Sequence, residues 1–188
     1  YRVRLIINGQ VQGVGFRPFI YRLALENKLT GSVLNSPEGV SIEIQGSKKQ
    51  IEFFEQDLYQ KLPPLARITS VIHQESETRP EEKIFSILAS ASGQGHQVLI
   101  SPDTATCPDC QADISDPENR RFEYPFTNCT NCGPRFTITQ SIPYDREKTS
   151  MACFPMCTEC EQEYNNPLDR RFHAQPNACA ACGPGIWL

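Results

Sequence analysis

The sequence predicts an α+β protein, in which a βαββαβ domain precedes two small modules with four cysteines each. Hydrophobic residues in the first half alternate between strand-like and helix-like spacing, and that half contains no cysteine. All nine cysteines lie between Cys107 and Cys182, and eight of them form CxxC pairs. The cysteine-rich half repeats with a period of 50 residues, which indicates a duplicated unit.

The order of elements in the first half favours the split βαβ arrangement, termed ferredoxin-like, with two helices on one face of an antiparallel sheet. Pro18 occupies the first position of the first helix, where its missing N–H has no cost. Pro63 and Pro64 end the second helix. The predicted strands cover residues 2–8, 31–36, 40–45, 67–74 and 84–88, and the predicted helices cover 18–29 and 48–60.

We expect four segments along the chain. Residues 90–97 are rich in serine and glycine, a composition typical of a linker. The predicted segments are an α/β domain at 1–92, a linker at 93–104, a first cysteine module at 105–150 and a second at 151–188.

Charge and hydropathy argue against two classes of partner. Of the 18 Lys+Arg and 22 Asp+Glu in the chain, residues 1–92 hold 11 and 10, which leaves 7 and 12 for the cysteine-rich half. This acidic excess disfavours nucleic acid, whose binding depends on Lys and Arg. No apolar run approaches the roughly 20 residues of a membrane span. We therefore expect a cytoplasmic protein with reduced cysteines.

Each cysteine module has the spacing C-x2-C-x18-C-x2-C, which is typical of zinc sites. Two CxxC turns supply the four thiolates that a structural, tetrahedral zinc ion favours. We expect two structural zinc ions, with an iron–sulfur cluster or a disulfide framework as the alternatives. Cys153 lies outside both sets, and His173 is not expected to be a ligand. The predicted ligands are Cys107, Cys110, Cys129, Cys132, Cys157, Cys160, Cys179 and Cys182.

An Arg-Arg-Phe segment recurs between the CxxC pairs of each module, at residues 120–122 and 170–172. We interpret it as a buttress for the CxxC turns, with phenylalanine in a small core and arginine capping carbonyl groups; a surface for a partner is the alternative. Gly133 and Gly183 follow the second CxxC pairs, where a turn often requires a positive φ.

The chemistry of the first domain is expected in a glycine-rich turn, where residues 9–17 read GQVQGVGFR between the first strand and the first helix. Converging main-chain amides, the helix N-terminus and the guanidinium group of Arg17 can together hold a phosphoryl group. A simple tight turn is the alternative, and the pattern lacks the Gly-Lys-Ser/Thr of a Walker loop. The predicted phosphate-binding residues are Gln12, Gly13, Val14, Gly15, Phe16 and Arg17.

This segment, together with Gly31-Ser32-Val33-Leu34-Asn35, resembles the two signatures of the acylphosphatase family over roughly residues 2–90. The resemblance implies a hydrolase in which Arg17 binds the phosphoryl group with the loop amides and Asn35 orients the attacking water. Both residues are therefore expected to be catalytic. Pre-placed N–H groups would stabilise the charge that develops on phosphorus oxygens.

The full arrangement, with Asp169–Cys179 reading DRRFHAQPNAC and the two Cys-Gly-Pro endings, resembles the HypF family of [NiFe]-hydrogenase maturation carbamoyltransferases. The resemblance implies carbamoyl phosphate as substrate, hydrolysis to carbamate, ATP-dependent formation of carbamoyl adenylate, and transfer to the C-terminal cysteine of a HypE-like partner.

The chain ends soon after the second module, at Ile186-Trp187-Leu188, whereas members of this family continue with adenylation and transfer domains. We therefore expect the N-terminal part of such an enzyme, limited to acyl phosphate hydrolysis. The alternative is a zinc-stapled protein-interaction module with a vestigial phosphate cradle.

Overall fold

The computed structural model describes residues 1–91 and 99–187 and divides into two compact units, Tyr1–Leu99 and Ile100–Leu188. The first unit contains five strands and two helices in the order βαββαββ. The strands are β1 (Arg2–Gln10), β2 (Thr30–Ser36), β3 (Gly39–Gln45), β4 (Arg67–Glu75) and β5 (Phe85–Ile87), and the helices are α1 (Phe16–Glu26) and α2 (Lys48–Gln60).

The five strands form one sheet in the order β4-β1-β3-β2-β5. The pairs β1–β3, β1–β4 and β2–β3 are antiparallel, whereas β5 pairs with β2 in parallel. The expectation of a purely antiparallel sheet is therefore wrong at this edge. The connection after β4 crosses to the far side of the sheet, and Arg79 donates its backbone N–H to Gln45 on the way. After this crossing, β5 lies beside β2 and runs parallel to it.

The core of the first unit lies between one face of the sheet and the two helices. Leu5, Ile42 and Val33 contribute from three central strands, and all are fully buried. Alternate residues of a strand point to one face, so their neighbours along each strand turn away from the core. The helices add apolar side chains at helical spacing, namely Ile20, Leu23 and Ala24 from α1 and Ile51, Phe54 and Leu58 from α2.

Helix α1 starts two residues earlier and ends earlier than the sequence predicted. Its last turn closes through hydrogen bonds from Lys28 N–H to the Leu25 carbonyl and from Leu29 N–H to the Ala24 carbonyl. Lys28 adopts the left-handed conformation, with φ of 54°, that this type of helix end requires. Glycine is the usual residue at this position, so the lysine gave no sign in the sequence that the helix ends here.

The second unit has little regular structure. It contains α3 (Pro108–Ser115), α4 (Thr158–Asn165) and two short 3-10 helices, Arg146–Lys148 and Ser150–Cys153. Of the predicted linker at 93–104, residues 93–98 lie outside the described residues. Thr104 belongs to the second unit, where it exchanges backbone hydrogen bonds with Gly133. Among the helices in the described ranges, none combines the length and hydropathy needed to cross a membrane.

Candidate functional site

The turn between β1 and α1 is shaped by alternating buried and partly exposed residues. Val11, Val14 and Phe16 are each only 1% exposed, so their side chains anchor the turn in the core. Gly13 and Gly15 lie between them with φ of 70° and 73°, a left-handed conformation that glycine adopts at little cost. The main chain is thereby presented at the surface. We call residues Gln12–Arg17 the anion cradle.

Gln12 fixes the anion cradle to the β2–β3 hairpin. Its side-chain amide is buried and donates hydrogen bonds to the carbonyls of Ser36, at 2.9 Å, and Gly39, at 2.8 Å. The side chain of Gln12 is therefore occupied as an anchor, and any anion contact at this position falls to its main chain. The sequence predicted Gln12 as a phosphate-binding residue but did not predict that its side chain anchors the hairpin.

The two predicted catalytic residues are linked by the chain that follows β5. Arg17 and Asn35 are buried, at 8% and 1% exposure. Arg17 Nη1 donates to Ser90 Oγ at 3.4 Å, and the backbone N–H of Ala91 donates to the Asn35 carbonyl at 2.9 Å. Ser90 was placed in a linker by its composition, so its position beside Arg17 was missed.

The beginning of α1 adds further donors to the anion cradle. The first N–H groups of a helix have no acceptor within the helix, and they carry the positive end of its dipole. Because α1 begins at Phe16, the amides of Phe16 and Arg17 stand at this end, while Pro18 is the third helical residue and offers no N–H. The Phe19 N–H already donates to the Gly15 carbonyl.

The eight predicted metal ligands gather into two clusters of four. Each cluster holds the cysteines of one repeat, with its sulfur atoms all within 4.8 Å of one another. Five sulfur–sulfur pairs within the two clusters are 3.5 to 3.9 Å apart. A tetrahedral zinc ion with Zn–S bonds of about 2.3 Å places its sulfurs about 3.8 Å apart, whereas a disulfide requires about 2.05 Å. The clusters therefore fit a tetrahedral metal and exclude a disulfide framework.

Local structure explains how each CxxC pair presents both sulfurs. Cys107 and Cys157 are the N-caps of α3 and α4, so Cys110 and Cys160 lie one turn inside the helix on the same side. In the second pair of each repeat, the N–H of Cys132 donates to the Cys129 carbonyl, closing a tight turn. The corresponding turn in the second repeat closes in the same way.

The two glycines after these turns serve different purposes. Gly133 has a φ of 93°, as expected for this turn. Gly183 does not have a positive φ, so the prediction of a left-handed turn is wrong there. Close packing requires the glycine instead, because a Cβ atom would lie 2.1 Å from Tyr124 Oη and 2.6 Å from Ala178 Cβ.

The two other residues considered near the clusters lie outside them. Cys153 is exposed, and its thiol donates to the Ser150 carbonyl at 3.3 Å. His173 packs its ring against Tyr164 and Phe172, with centroids 4.9 and 4.7 Å away. In the described part of the chain, neither residue belongs to a cluster that could hold a metal.

The paired arginines cross from one repeat to the other. Arg121 Nε donates to the Ala178 carbonyl at 2.9 Å, and Arg171 Nε donates to the Asn128 carbonyl at 3.0 Å. The two acceptors are related by the 50-residue period. The arginines thus cap carbonyls as expected, and the carbonyls that they cap lie in the opposite module.

Carboxylates on α3 and α4 bind the arginines that reach across from the other repeat. We call Arg120, Arg121, Arg170 and Arg171 the crossed arginines. Glu163 on α4 binds Arg121 and Arg120 at 2.6 Å, and the equivalent Asp113 on α3 binds Arg170 and Arg171. Burial opposes the ionisation of Glu163, but the hydrogen bonds from both arginines outweigh it and lower its pKa to about 2.

The repeats differ in their phenylalanines. Phe172 is buried at 4% exposure, in keeping with the prediction of a small core. Phe122 is 41% exposed, so that prediction is wrong for the first repeat.

Comparison with known proteins divides the chain in the same way. The acylphosphatase family matches residues 3–87, and the HypF finger matches residues 106–139 and again 156–188. Over 88 residues the chain is 38% identical to an acylphosphatase from Geobacillus thermodenitrificans, which covers 46% of this chain and 93% of that protein.

Longer relatives match both units at once. Carbamoyltransferase HypF2 from Cupriavidus necator is 50% identical over 155 residues, or 82% of this chain and 19% of the relative. The crystal structure of a full-length HypF in a phosphate- and nucleotide-bound form superposes with a TM-score of 0.93 at 48% identity, covering 98% of this chain and 24% of that one. The chain thus spans about a fifth of the length of such relatives. It belongs to the acylphosphatase family through its first unit, and its acylphosphatase domain joined to two HypF fingers corresponds to the N-terminal region of the HypF carbamoyltransferases.

Proposed function

We propose that the first unit hydrolyses acyl phosphates at the anion cradle, and that carbamoyl phosphate is its substrate. The observation that carries the proposal is a set of hydrogen bonds that ties the anion cradle, Arg17 and Asn35 together. Gln12 joins the cradle to the β2–β3 hairpin, and Ser90 and Ala91 join Arg17 to the Asn35 carbonyl. The amides and the guanidinium group all donate hydrogen bonds, which suits a phosphoryl dianion.

The proposed reaction is attack of water on phosphorus. The new P–O bond forms as the bond from phosphorus to the bridging oxygen breaks, and carbamate leaves with the bonding electrons. The water protons pass to the phosphate product, so carbamoyl phosphate and water give carbamate and dihydrogen phosphate. The reaction needs no strong base, because a carboxylate-type oxygen is a good leaving group.

The proposed roles divide between stabilising charge on the phosphoryl group and positioning the attacking water. Arg17 and the loop amides would stabilise the negative charge that builds on the non-bridging oxygens. Asn35, held in β2 and buried, would direct the attacking water towards phosphorus. The full-length HypF structure was obtained with phosphate and a nucleotide bound, which supports a phosphate site in this family.

Phosphate release from carbamoyl phosphate tests the proposal. We expect turnover by the wild-type chain and a loss of about 100-fold or more in Arg17→Ala and Asn35→Ala. Arg22→Ala is the matched control, because Arg22 lies on α1 outside the cradle, and this variant should keep its activity. Reaction in ¹⁸O-labelled water should place the label in phosphate. A wild-type rate in Arg17→Ala, or phosphate released without the label, would refute the mechanism.

We further propose that the two cysteine clusters hold structural zinc. Cys107, Cys110, Cys129 and Cys132 would bind one ion, and Cys157, Cys160, Cys179 and Cys182 the other. The sulfur spacing supports zinc, and a metal would contribute roughly 10–16 kcal/mol to a unit with little apolar core. Elemental analysis should return two zinc ions per chain. Iron with inorganic sulfide, or a folded second unit without metal, would contradict this assignment.

The place of this reaction in a longer enzyme is also part of the proposal. Carbamate from the first unit would pass to ATP-dependent activation and then to a HypE-like acceptor in the cytoplasm, as the relationship to HypF carbamoyltransferases suggests. If the chain binds such a partner but releases no phosphate from carbamoyl phosphate, the alternative of an interaction module with a vestigial cradle would replace the enzymatic proposal.

A further inference from the structure

We propose that the two metal centres of the second unit are coupled, so that filling either cysteine cluster strengthens metal binding at the other through the crossed arginines. This inference rests on the proposed role of both clusters as zinc sites. It concerns the arginine pairs at 120–121 and 170–171, whose reciprocal contacts the individual binding sites do not require.

The first link is a direct contact between each guanidinium group and a ligand sulfur of the other repeat. Arg120 Nη2 lies 3.2 Å from Cys160 Sγ, and Arg170 Nη1 lies 2.8 Å from Cys110 Sγ. Both sulfurs belong to fully buried residues. The contacts are equivalent under the 50-residue period, so the duplicated sequence has produced the same contact twice.

Charge explains why these contacts favour the loaded state. Four thiolates around one divalent cation leave a net formal charge of −2 in a buried place. A guanidinium group stays protonated and can donate to sulfur, so it offsets part of that charge and orients the ligand. Each loaded cluster therefore holds an arginine from the opposite repeat in position.

The second link connects the held arginine to its own cluster. Arg120 and Arg121 lie in the segment between Cys110 and Cys129, the inner two ligands of the first cluster. Ordering that segment from the opposite repeat brings these two ligands towards their binding geometry before the metal arrives.

The neighbouring arginine strengthens the same route. Arg121 is 1% exposed and binds both Glu163 and the carbonyl of Ala178, the residue before Cys179. Metal bound at the second cluster fixes Cys179 and so fixes this carbonyl. Arg171 makes the equivalent contact with Asn128, so the effect runs equally in both directions, as thermodynamic linkage demands.

Native mass spectrometry of the full chain, stripped of metal under reducing conditions and given one zinc ion per chain, tests the coupling. Independent and equal sites would leave about half of the chains with a single ion. A coupling of about 10- to 100-fold, which is ordinary between linked sites, would lower that share to about a quarter or a tenth. A singly loaded share of half or more would overturn the proposal, and a chain that takes up no zinc would remove the metal sites on which it rests.

A pair of variants tests the route. The double variant Arg120→Gln with Arg170→Gln should still bind two ions, but its singly loaded share should rise from the wild-type value towards half, because only the Arg121 and Arg171 contacts remain. Arg79→Gln removes a charge from the first unit and should keep the wild-type distribution. If the double variant kept the wild-type distribution, the contacts of Arg120 with Cys160 and of Arg170 with Cys110 would not be the link. The wild-type distribution tests whether the two sites are coupled. That test stands even if the double variant does not fold.

Discussion

Replacing Gln12 with alanine should loosen the anion cradle and destabilise the first unit together. The buried amide donates to two carbonyls, those of Ser36 and Gly39, and truncation leaves both without this donor. Each lost hydrogen bond costs about 0.5–1.5 kcal/mol, and a buried carbonyl left unsatisfied adds to that. We expect a total of about 2–4 kcal/mol, a large share of the 5–15 kcal/mol that typically holds a domain together.

Hydrogen exchange of the core amides in β1 and β3 measures the stability of the first unit without interference from the second. Gln10→Ala is the matched control, because the Gln10 side chain is only partly buried and donates to the Leu65 carbonyl, away from the β2–β3 hairpin. The control should lose about 1 kcal/mol or less. Gln12→Ala should also reduce phosphate release by tenfold or more, since small displacements of a catalytic group have large effects. A Gln12→Ala variant as stable and as active as Gln10→Ala would refute this reasoning.

Two further predictions address packing and charge. Gly183→Ala should destabilise the second unit by about 1–3 kcal/mol, because the new Cβ overlaps Tyr124, whereas Gly185→Ala, with its nearest neighbour atom 3.5 Å away, should change stability by less than about 0.5 kcal/mol in thermal unfolding. Burial raises the pKa of Glu43, but hydrogen bonding to Arg2 outweighs it, so the folded-state pKa is lowered. Glu43 therefore stabilises the fold above its unfolded pKa near 4.3, and this contribution fades as pH falls through the lower folded value. Urea unfolding should show Glu43→Gln to be less stable than the wild-type chain at pH 7, with a difference that shrinks below pH 4; an equal difference at both pH values would contradict the assignment.

The sequence predicted most accurately those features whose structure is determined by residues close together in the chain. The cysteine spacing predicted the clusters correctly, because a CxxC turn places two sulfurs together whatever surrounds it. The glycines at 13 and 15 predicted the turn before α1, since their conformation follows from the residue type. The helical spacing of apolar residues also predicted α2, and the structure adds a capping box between Ser47 and Gln50 at its start.

Features that depend on distant parts of the chain were missed. Nothing in three residues of β5 specifies a parallel partner, because direction follows from the path of the preceding connection. The repeat placed an arginine pair in each module. The local sequence does not specify whether a pair contacts its own module or the other one. Gly183 is fixed by the approach of Tyr124, a residue 59 positions earlier in the chain. Ser90 likewise lies beside Arg17 only because of the path that the chain takes after β5.

Titration of the labelled chain with inorganic phosphate, followed by amide chemical shifts, addresses the anion site most directly. We expect saturable shifts at residues 12–17, and no such shifts in the Arg17→Ala variant. Shifts scattered over the surface, or saturation unchanged when Arg17 is removed, would show that the cradle is not where the phosphoryl group binds.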